Sequence, residues 1–310
     1  MLATELIRGL GIEVQALFFK TPFFSPSKAL QSAGALGITI KIIDITEKHL
    51  ALVKRPRHGY GENMNPCIDC HTLMIRTAGE MLGSEEAQFI ITGEVLGQRP
   101  MSQNRKALSI IDEESGFKGL ILRPLSARHL PPSRPEEEGW VDRGRLMDFS
   151  GRTRKPQMAL AKEMGIIDYP SPAGGCLLTD RIFSERLRDL FSSRAQVQVR
   201  EIELMKLGRH FRIGPETKVV VGRNMSENNA IQALALEEDL LLYTVSVPGP
   251  TVLVLGETGE GIQELAAEMT LSYSDAGEGR EEKVILRTKG RDRVLQARAR
   301  DKKEYRQYMI

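Results

Sequence analysis

Thiols are scarce in this sequence, which has three cysteines among 310 residues. So few cysteines exclude a disulfide-stapled scaffold and favour a reducing compartment, and we therefore expect a cytoplasmic protein. No apolar run approaches the roughly 18 residues of a membrane span, so we expect no membrane partner. Internal repeats and low-complexity tracts are also missing. The net charge of +2 indicates no particular ligand, and the length suits two domains.

Positive charge is concentrated at the C-terminal end of the chain. From Arg280 onward Lys and Arg outnumber Asp and Glu, whereas residues 256–278 are acidic. A basic end of this kind is more often a solvated segment than a binding surface, unless another feature indicates a ligand.

The three cysteines stand in two segments suited to presenting a sulfur atom. Cys67 and Cys70 belong to the string Asn-Pro-Cys-Ile-Asp-Cys-His at residues 65–71, after a loop rich in Gly, Asn and Pro and before an apolar helix. A helix N-terminus favours the thiolate form of cysteine. Cys176 follows the string Pro-Ala-Gly-Gly at residues 172–175. Because glycine has no side chain, other groups can approach the sulfur of Cys176 closely.

Four interpretations of these thiols compete. A buried, inert cysteine suits Cys176 but not a paired motif. The string from Cys67 to His71 also matches a haem attachment sequence, but haem attachment requires export, and no signal-peptide pattern is present. A zinc site of three Cys and His71 is disfavoured because His71 directly follows Cys70. Two interpretations remain open: a redox or sulfur-transferring set of thiols, and an iron–sulfur cluster on three thiolates with one open iron.

Helices and short apolar strands alternate along the first 190 residues. Strands are predicted at 13–19, 38–43, 87–92 and 120–122, with helices at 2–10, 27–36 and 70–82. This alternation predicts an α/β fold with a doubly wound parallel sheet in residues 1–190, in which strand 38–43 is buried on both faces. Residues 191–310 predict a smaller α+β domain, with strands at 218–221, 240–245, 251–255 and 283–287 and a helix at 261–269. Ligands of a doubly wound sheet bind at the carboxyl ends of its strands.

The strings at these strand ends resemble a known family. Thr-Gly-Glu-Val-Leu-Gly-Gln at 92–98, Ser-Gln at 102–103 and Leu-Arg-Pro-Leu at 122–125 resemble the catalytic domain of the 4-thiouridine synthetase (ThiI) family. Their order and spacing make the resemblance specific, over about residues 1–190. It implies a PP-loop fold, that of the adenine-nucleotide α-hydrolases. It also implies an activity in which ATP adenylates a uridine carbonyl oxygen of tRNA and sulfur then replaces the activated oxygen.

The resemblance further implies roles for individual residues. Cys67, Cys70 and Cys176 would carry the sulfur, either as a persulfide or, as in cluster-dependent relatives, as ligands of a [4Fe–4S] cluster. Arg123 would bind phosphate, and Glu94 would bind Mg²⁺. The other nucleotide-binding candidates are Phe19, Lys20, Thr21, Thr92, Gly93, Gly97 and Gln98. The implied partners are tRNA and a sulfur donor, either a cysteine desulfurase or sulfide.

One element of the family does not occur in the sequence. The pyrophosphate loop, Ser-Gly-Gly-x-Asp-Ser, is missing before the helix that begins at Leu2. Such a loop cradles phosphates with backbone N–H groups, so we expect the 310-residue chain to bind ATP poorly. We also expect the codons upstream of Met1 to encode this loop and its strand, because residues 1–11 resemble the helix that the loop caps.

The C-terminal region resembles the RNA-binding NFACT-R module. The string Val-Val-Val-Gly-Arg-Asn at 219–224 carries the resemblance, followed by Glu-Asn-Asn at 227–229 and Val-Pro-Gly-Pro at 247–250. An Arg–Asn pair also suits an ordinary turn. The resemblance implies contacts to RNA phosphates, which supply affinity without reading sequence. The candidates are Arg223, Asn224, Arg287, Lys289 and Arg291.

These patterns together predict a cytoplasmic, two-domain tRNA thiouridine synthase. Two other classes stay open. One is a non-catalytic RNA-binding protein with a degenerate first domain, which the missing loop favours. The other is a sulfurtransferase that acts on a small molecule.

Overall fold

The chain divides into two units of dense internal contact, Met1–Thr179 and Asp180–Ile310, in a computed structural model that describes residues 1–169 and 175–310. Residues 172–174 of the string before Cys176 lie outside the described residues. The predicted boundary after residue 190 differs because the helix at Arg181–Ser193 packs within the second unit. There Arg186 donates to the carbonyl oxygens of Met205 and Gly208, at 2.7 and 3.1 Å.

The first unit combines helices with parallel strand pairs. Its helices are α1 (Leu2–Arg8), α2 (Ser27–Leu36), α3 (Thr46–Lys54), α4 (Cys67–Glu80), α5 (Arg105–Ser115), α6 (Arg134–Glu137) and α7 (Lys155–Glu163). Its strands are β1 (Ala16–Lys20), β2 (Ile40–Asp44), β3 (Ile90–Ile91) and β4 (Ile121–Leu122). Strand β1 pairs in parallel with β2, and β3 with β4.

The mixed α/β character of this unit agrees with the prediction, but among the described residues the strands form two separate pairs. A doubly wound sheet therefore stays a prediction. The expectation that strand 38–43 is buried on both faces is wrong, because Ile42 in β2 is 44% exposed. A β-branched run favours a strand whether or not its faces are covered, so composition overestimated the burial.

Packing of α4 against α5 and β4 positions the start of α4. Buried Ile75, Ile111 and Ile121 form one apolar cluster between these elements. Gly79 of α4 lies against Phe117, which follows the end of α5, and an added Cβ would lie 2.2 Å from the Phe117 ring. Only glycine fits there without displacing the ring, so the cysteine pair at the N-terminus of α4 is attached to a well-packed helix.

The second unit is built on one antiparallel sheet. Its helices are α8 (Arg181–Ser193), α9 (Val199–Met205), α10 (Met225–Leu234) and α11 (Glu260–Ser272). Its strands are β5 (Arg209–Arg212), β6 (Lys218–Val221), β7 (Leu240–Thr244), β8 (Val252–Leu255), β9 (Glu281–Thr288) and β10 (Arg291–Arg298), in the sheet order β10-β9-β7-β8-β6-β5. The four residues of β6 and those of β8 are all buried, and α11 packs on the sheet.

The basic C-terminal segment is partly a strand rather than a tail. Residues 291–298 form β10, which pairs antiparallel with β9 through a tight turn. Lys289 and Gly290 both have positive φ, 49° and 68°, as a two-residue hairpin turn requires. Polar residues dominate strand β10, so its sequence has no alternation of apolar and polar residues from which a strand could be predicted.

None of the helices in residues 1–169 and 175–310 has the length and apolar character that a membrane span requires.

Candidate functional site

The structure brings the three cysteines into one site. Cys67 and Cys70 lie in the first turn of α4, and Cys176 directly precedes a short 3-10 turn at Leu177–Thr179. All three are free thiols. Burial raises the pKa of Cys70, and negative charge on Cys176 and Cys67 raises it further. The three sulfur atoms are therefore close enough to interact electrostatically.

Two hydrogen bonds attach the Cys176 segment to the rest of the site. The Leu177 N–H donates to the carbonyl oxygen of Phe23 at 3.0 Å. The side-chain amide of Asn63 donates to the carbonyl oxygen of Thr179 at 2.8 Å. Since Asn63 belongs to the loop before α4, this loop joins the two thiol segments.

Burial raises the pKa of both Cys70 and Cys176. Burial is the main cause that raises the pKa of Cys176 to about 11, although the backbone N–H of Leu178 and the charge of Arg99 oppose it. For Cys70 the prediction of a favoured thiolate is wrong. Desolvation of a buried sulfur outweighs the helix dipole there, and the neighbouring thiols and Asp69 add to the effect.

One residue of the site, His49 on α3, was missed by sequence reasoning. Its Nε2 lies 3.0 Å from the sulfur of Cys70, and its ring lies 5.5 and 6.0 Å from the rings of Phe23 and Phe24. The side chain is fully buried, and burial lowers its pKa to about 4, so the imidazole is neutral. Its Nδ1 has no hydrogen-bond partner in the described part of the chain. A single histidine on an amphipathic helix gives no signal of this contact.

The thiols interact, but they are not arranged as a set of metal ligands. Within residues 1–169 and 175–310 no group of three or more His, Cys, Asp or Glu side chains is placed to hold a metal ion. Two of the sulfurs already have polar neighbours. The Asn65 amide donates to the sulfur of Cys67 at 3.2 Å, and His49 contacts that of Cys70. Soft thiolates suit iron chemically, but this arrangement does not fit a cluster as it stands.

Glu94 and Arg123, which follow the paired strands β3 and β4, form a buried ion pair. The Arg123 Nε donates to Glu94 at 2.9 Å, and its two terminal nitrogens donate to Asp112 at 3.0 and 2.7 Å. The His71 Nδ1 lies 2.6 Å from Glu94, and the Thr92 hydroxyl donates to Glu94 at 3.0 Å. Glu94 is 6% exposed and Arg123 4%. The pair therefore binds α4, α5 and the two strand ends together.

This network affects the roles implied for the two residues, Mg²⁺ binding by Glu94 and phosphate binding by Arg123. Burial alone would raise the pKa of Glu94, but hydrogen bonding and charge from His71 and Arg123 lower it to about 2. Both oxygens of Glu94 and three nitrogens of Arg123 are already engaged within the protein. Binding Mg²⁺ or phosphate there would require these bonds to exchange, so these two roles stay predictions.

The other nucleotide-binding candidates lie at the carboxyl ends of β1 and β3. Phe19 and Lys20 end β1, and the Lys20 ammonium lies 3.2 Å from the carboxylate of Asp44. Thr21 is buried and its hydroxyl accepts from the Phe23 N–H at 3.1 Å. Thr92 and Gly93 follow β3.

The turn beyond β3 contains the last two candidates. Gly97 has a φ of 77° and its N–H donates to the Gln103 carbonyl at 2.6 Å, while the Gln98 N–H donates to that of Val95 at 3.1 Å. These bonds shape the loop itself, so they do not test a nucleotide role.

In the second unit, the predicted RNA contacts of the 219–224 string form a helix cap. Asn224 is the N-cap of α10, and its side chain accepts from the Glu227 N–H at 3.0 Å. The Nε of Arg223 donates to the carboxylate of Glu227 at 2.9 Å. Both residues therefore have a structural role at the start of this helix.

The remaining RNA candidates belong to the β9–β10 hairpin. Arg287 makes two hydrogen bonds to Asp292, at 2.7 and 2.8 Å, and lies 5.4 Å from the ring centre of Tyr243. Lys289, in the turn, and Arg291, directly after it, are exposed. Of the four predicted cations, these two have no carboxylate at ion-pair distance in the described part of the chain.

Comparison with known proteins gives two family matches. Residues 6–129 match the family model "Thiamine biosynthesis protein (ThiI)", and residues 208–309 match "NFACT protein RNA binding domain". These matches confirm both resemblances found in the sequence. No curated protein matches the chain. Among solved structures, the C-terminal part of the fibronectin/fibrinogen-binding protein from Streptococcus suis (FBPS) is similar at 13% identity with a TM-score of 0.30, covering 85% of this chain and 98% of that one. A TM-score of 0.30 is too low to indicate a shared fold.

Proposed function

We propose that this chain transfers sulfur to a uridine of tRNA and that its thiols carry the sulfur as a persulfide. The observation that carries the proposal is the position of Cys176 beside Cys67 and Cys70, in the unit that contains the ThiI match. The RNA-binding-domain match in the second unit supports RNA as the substrate. Free thiols suit a reducing cytoplasm, the location we propose.

The sulfur-carrying step uses the thiol of Cys176. A cysteine desulfurase transfers the outer sulfur of its own persulfide to Cys176; the proton of the Cys176 thiol passes to the departing desulfurase cysteine, which leaves as a thiol. The outer sulfur on Cys176 then attacks the activated carbon of the uridine. The C–O bond breaks, and AMP leaves with the former carbonyl oxygen.

A second thiol must then release the product. The thiolate of Cys67 attacks the Sγ of Cys176, the S–S bond to the uridine breaks, and thiouridine departs from a Cys67–Cys176 disulfide. A dithiol reductant restores both thiols. Cys67 suits this role better than Cys70, because the Asn65 amide donates to the sulfur of Cys67, whereas burial raises the pKa of Cys70.

ATP supplies the adenylate leaving group when it is bound, with Mg²⁺ to neutralise the departing pyrophosphate. The proposal thus has two separable parts. The thiols of this chain carry the sulfur, whereas activation depends on a phosphate-binding loop whose motif the sequence lacks.

Mass spectrometry tests the sulfur-carrying part without ATP. After incubation with a cysteine desulfurase and cysteine, the full chain should carry a persulfide on Cys176. The matched Cys70→Ala variant should carry it as well, and Cys176→Ala should not. A persulfide on none of the three thiols would overturn the proposal and favour the non-catalytic RNA-binding alternative.

A second measurement tests the release step. With tRNA, the sulfur donor and a large excess of ATP to offset its weak binding, Cys67→Ala should accumulate a tRNA–protein adduct that dithiothreitol cleaves, because no thiol releases the product. The Cys70→Ala variant should accumulate none. If the Cys70→Ala variant accumulates the adduct instead, Cys70 rather than Cys67 releases the product. If the wild-type chain binds iron and Cys176→Ala does not, the thiols hold a cluster and do not carry a persulfide.

A further inference from the structure

Two cations lie over the ring of Tyr273 in the second unit, and the charge of a third acts on its hydroxyl. The guanidinium carbon of Arg209 lies 5.2 Å from the ring centre, and the Nζ of Lys302 lies 5.7 Å from it. Burial raises the pKa of Tyr273, and the charges of Arg209 and Arg306 oppose that rise. Across residues 175–310, none of the three cations has a carboxylate recorded at ion-pair distance. We call Arg209, Tyr273, Lys302 and Arg306 the Tyr273 cluster.

Separate segments of the chain supply this cluster. Arg209 begins β5, Tyr273 directly follows α11, and the other two cations belong to the final 3-10 helix, Lys302–Tyr308. Lys302 and Arg306 are exposed, and Arg209 and Tyr273 are half-buried. The cluster is therefore open to solvent on one side and attached to the fold on the other.

Buried contacts hold the final 3-10 helix in place. The side chain of Tyr305 is 2% exposed, and its hydroxyl lies 3.1 Å from that of Ser272, at the end of α11. The Ile310 N–H donates to the carbonyl oxygen of His210 in β5 at 3.0 Å. These contacts join the three segments, so a ligand would meet cations that are already positioned.

The Tyr273 cluster differs from two of the cations that the sequence suggested for RNA. Arg223 and Arg287 direct their donors at Glu227 and Asp292 within the protein. A phosphate would have to compete with those carboxylates. At the cluster, the aromatic ring offsets the repulsion among three like charges and no carboxylate of residues 175–310 lies at ion-pair distance, so an added anion is favoured there.

RNA is the anion whose chemistry fits this surface. Its phosphates match several spaced cations, and an aromatic ring beside such cations is the arrangement by which proteins hold nucleic-acid strands. The whole cluster also lies within residues 208–309, the part that matches the RNA-binding domain. We propose that the Tyr273 cluster is the principal phosphate-binding surface of the second unit for tRNA. This inference rests on the proposed function, which makes RNA the substrate.

A salt series of tRNA binding by the full chain tests the proposal. Two matched double variants each remove two charges: Lys302→Gln/Arg306→Gln from the Tyr273 cluster, and Arg223→Gln/Arg287→Gln from the paired cations. Each phosphate contact contributes about 0.7–0.9 to the slope of log affinity against log salt. The cluster variant should therefore flatten the slope by about 1.4–1.8, and the paired variant by less than about 0.5.

Arg209→Gln provides an independent variant, expected to flatten the slope by about 0.7–0.9. Thermal unfolding of each variant verifies that it is folded. If the wild-type chain binds and the cluster variant retains its slope while the paired variant loses it, the inference fails and the proposed function stands. If the wild-type chain binds no tRNA even at low salt, both fail.

Discussion

Replacing Glu94 with Gln should destabilise the first unit by about 3 kcal/mol. Glu94 is 6% exposed, and its carboxylate accepts hydrogen bonds from the guanidinium of Arg123, the hydroxyl of Thr92 and the Nδ1 of His71. A neutral amide leaves the guanidinium of Arg123 buried with Asp112 as its one remaining charged partner. The amide of glutamine also places an N–H group against neighbours that are themselves hydrogen-bond donors.

Two routes give this magnitude. Burial would raise the pKa of Glu94, but its partners lower it from 4.5 to about 2, and at about 1.4 kcal/mol per pKa unit the difference is about 3 kcal/mol. Removal of one partner of a buried ion pair costs about 3–5 kcal/mol. Because the folded-state pKa lies below the unfolded one, the contribution is fully present above about pH 4.5 and is lost as the pH falls toward about 2.

Urea unfolding followed by the fluorescence of Trp140 isolates this effect, because the chain has 1 tryptophan and it lies in the first unit. Glu113→Gln is the matched control: this carboxylate is exposed, lies 3.1 Å from Lys118, and should contribute less than about 1 kcal/mol. A free energy of unfolding for Glu94→Gln within about 1 kcal/mol of the wild-type value at neutral pH would refute this role of the ion pair. A difference that does not narrow between about pH 5 and pH 3 would also refute it.

Three further outcomes are expected. Gly79→Ala should cost about 1–3 kcal/mol in the same urea assay because its Cβ would overlap Phe117, whereas Gly83→Ala, which meets open space, should cost nothing measurable. Isothermal titration should find ATP binding to this chain weaker than micromolar, since the loop motif is missing and Arg123 is already paired; micromolar binding would contradict this. Anaerobic reconstitution should give little bound iron in wild type and in Cys176→Ala alike; iron that binds to wild type and is lost in Cys176→Ala would contradict this.

The sequence predicted elements well where local signals were strong. Helix 27–36 and strand 218–221 have the predicted bounds, since glycine or proline flanks the first and a run of valines forms the second. The N-terminal position of Cys67 in α4 also follows from Pro66. Such signals depend on neighbours in the chain, and they gave the positions of Glu94 and Arg123 after their strands.

Contacts between distant segments could not be predicted in the same way. A carboxylate and a guanidinium at strand ends are equally suited to Mg²⁺, to phosphate and to each other, and only packing decides that Glu94 and Arg123 pair. Likewise, the helix dipole at Cys70 is a local effect, whereas the burial that outweighs it is a result of tertiary packing, in which His49 of α3 contacts the Cys70 sulfur. The contact of His49 with Cys70 joins two helices and leaves no pattern in either.

Charge near the C-terminus illustrates the same limit for ligand binding. An excess of Lys and Arg after Arg280 indicated a basic face, but ion pairs within the fold remove some of these cations from it: Arg287 pairs with Asp292, and Arg300 with Glu268 at 2.7 Å. The cations that remain available are those without such a partner, and Arg209 joins them from outside the basic segment. Affinity for an anion therefore depends on the tertiary pairing of charges, which is why the Tyr273 cluster, rather than the charge count, is the surface to test.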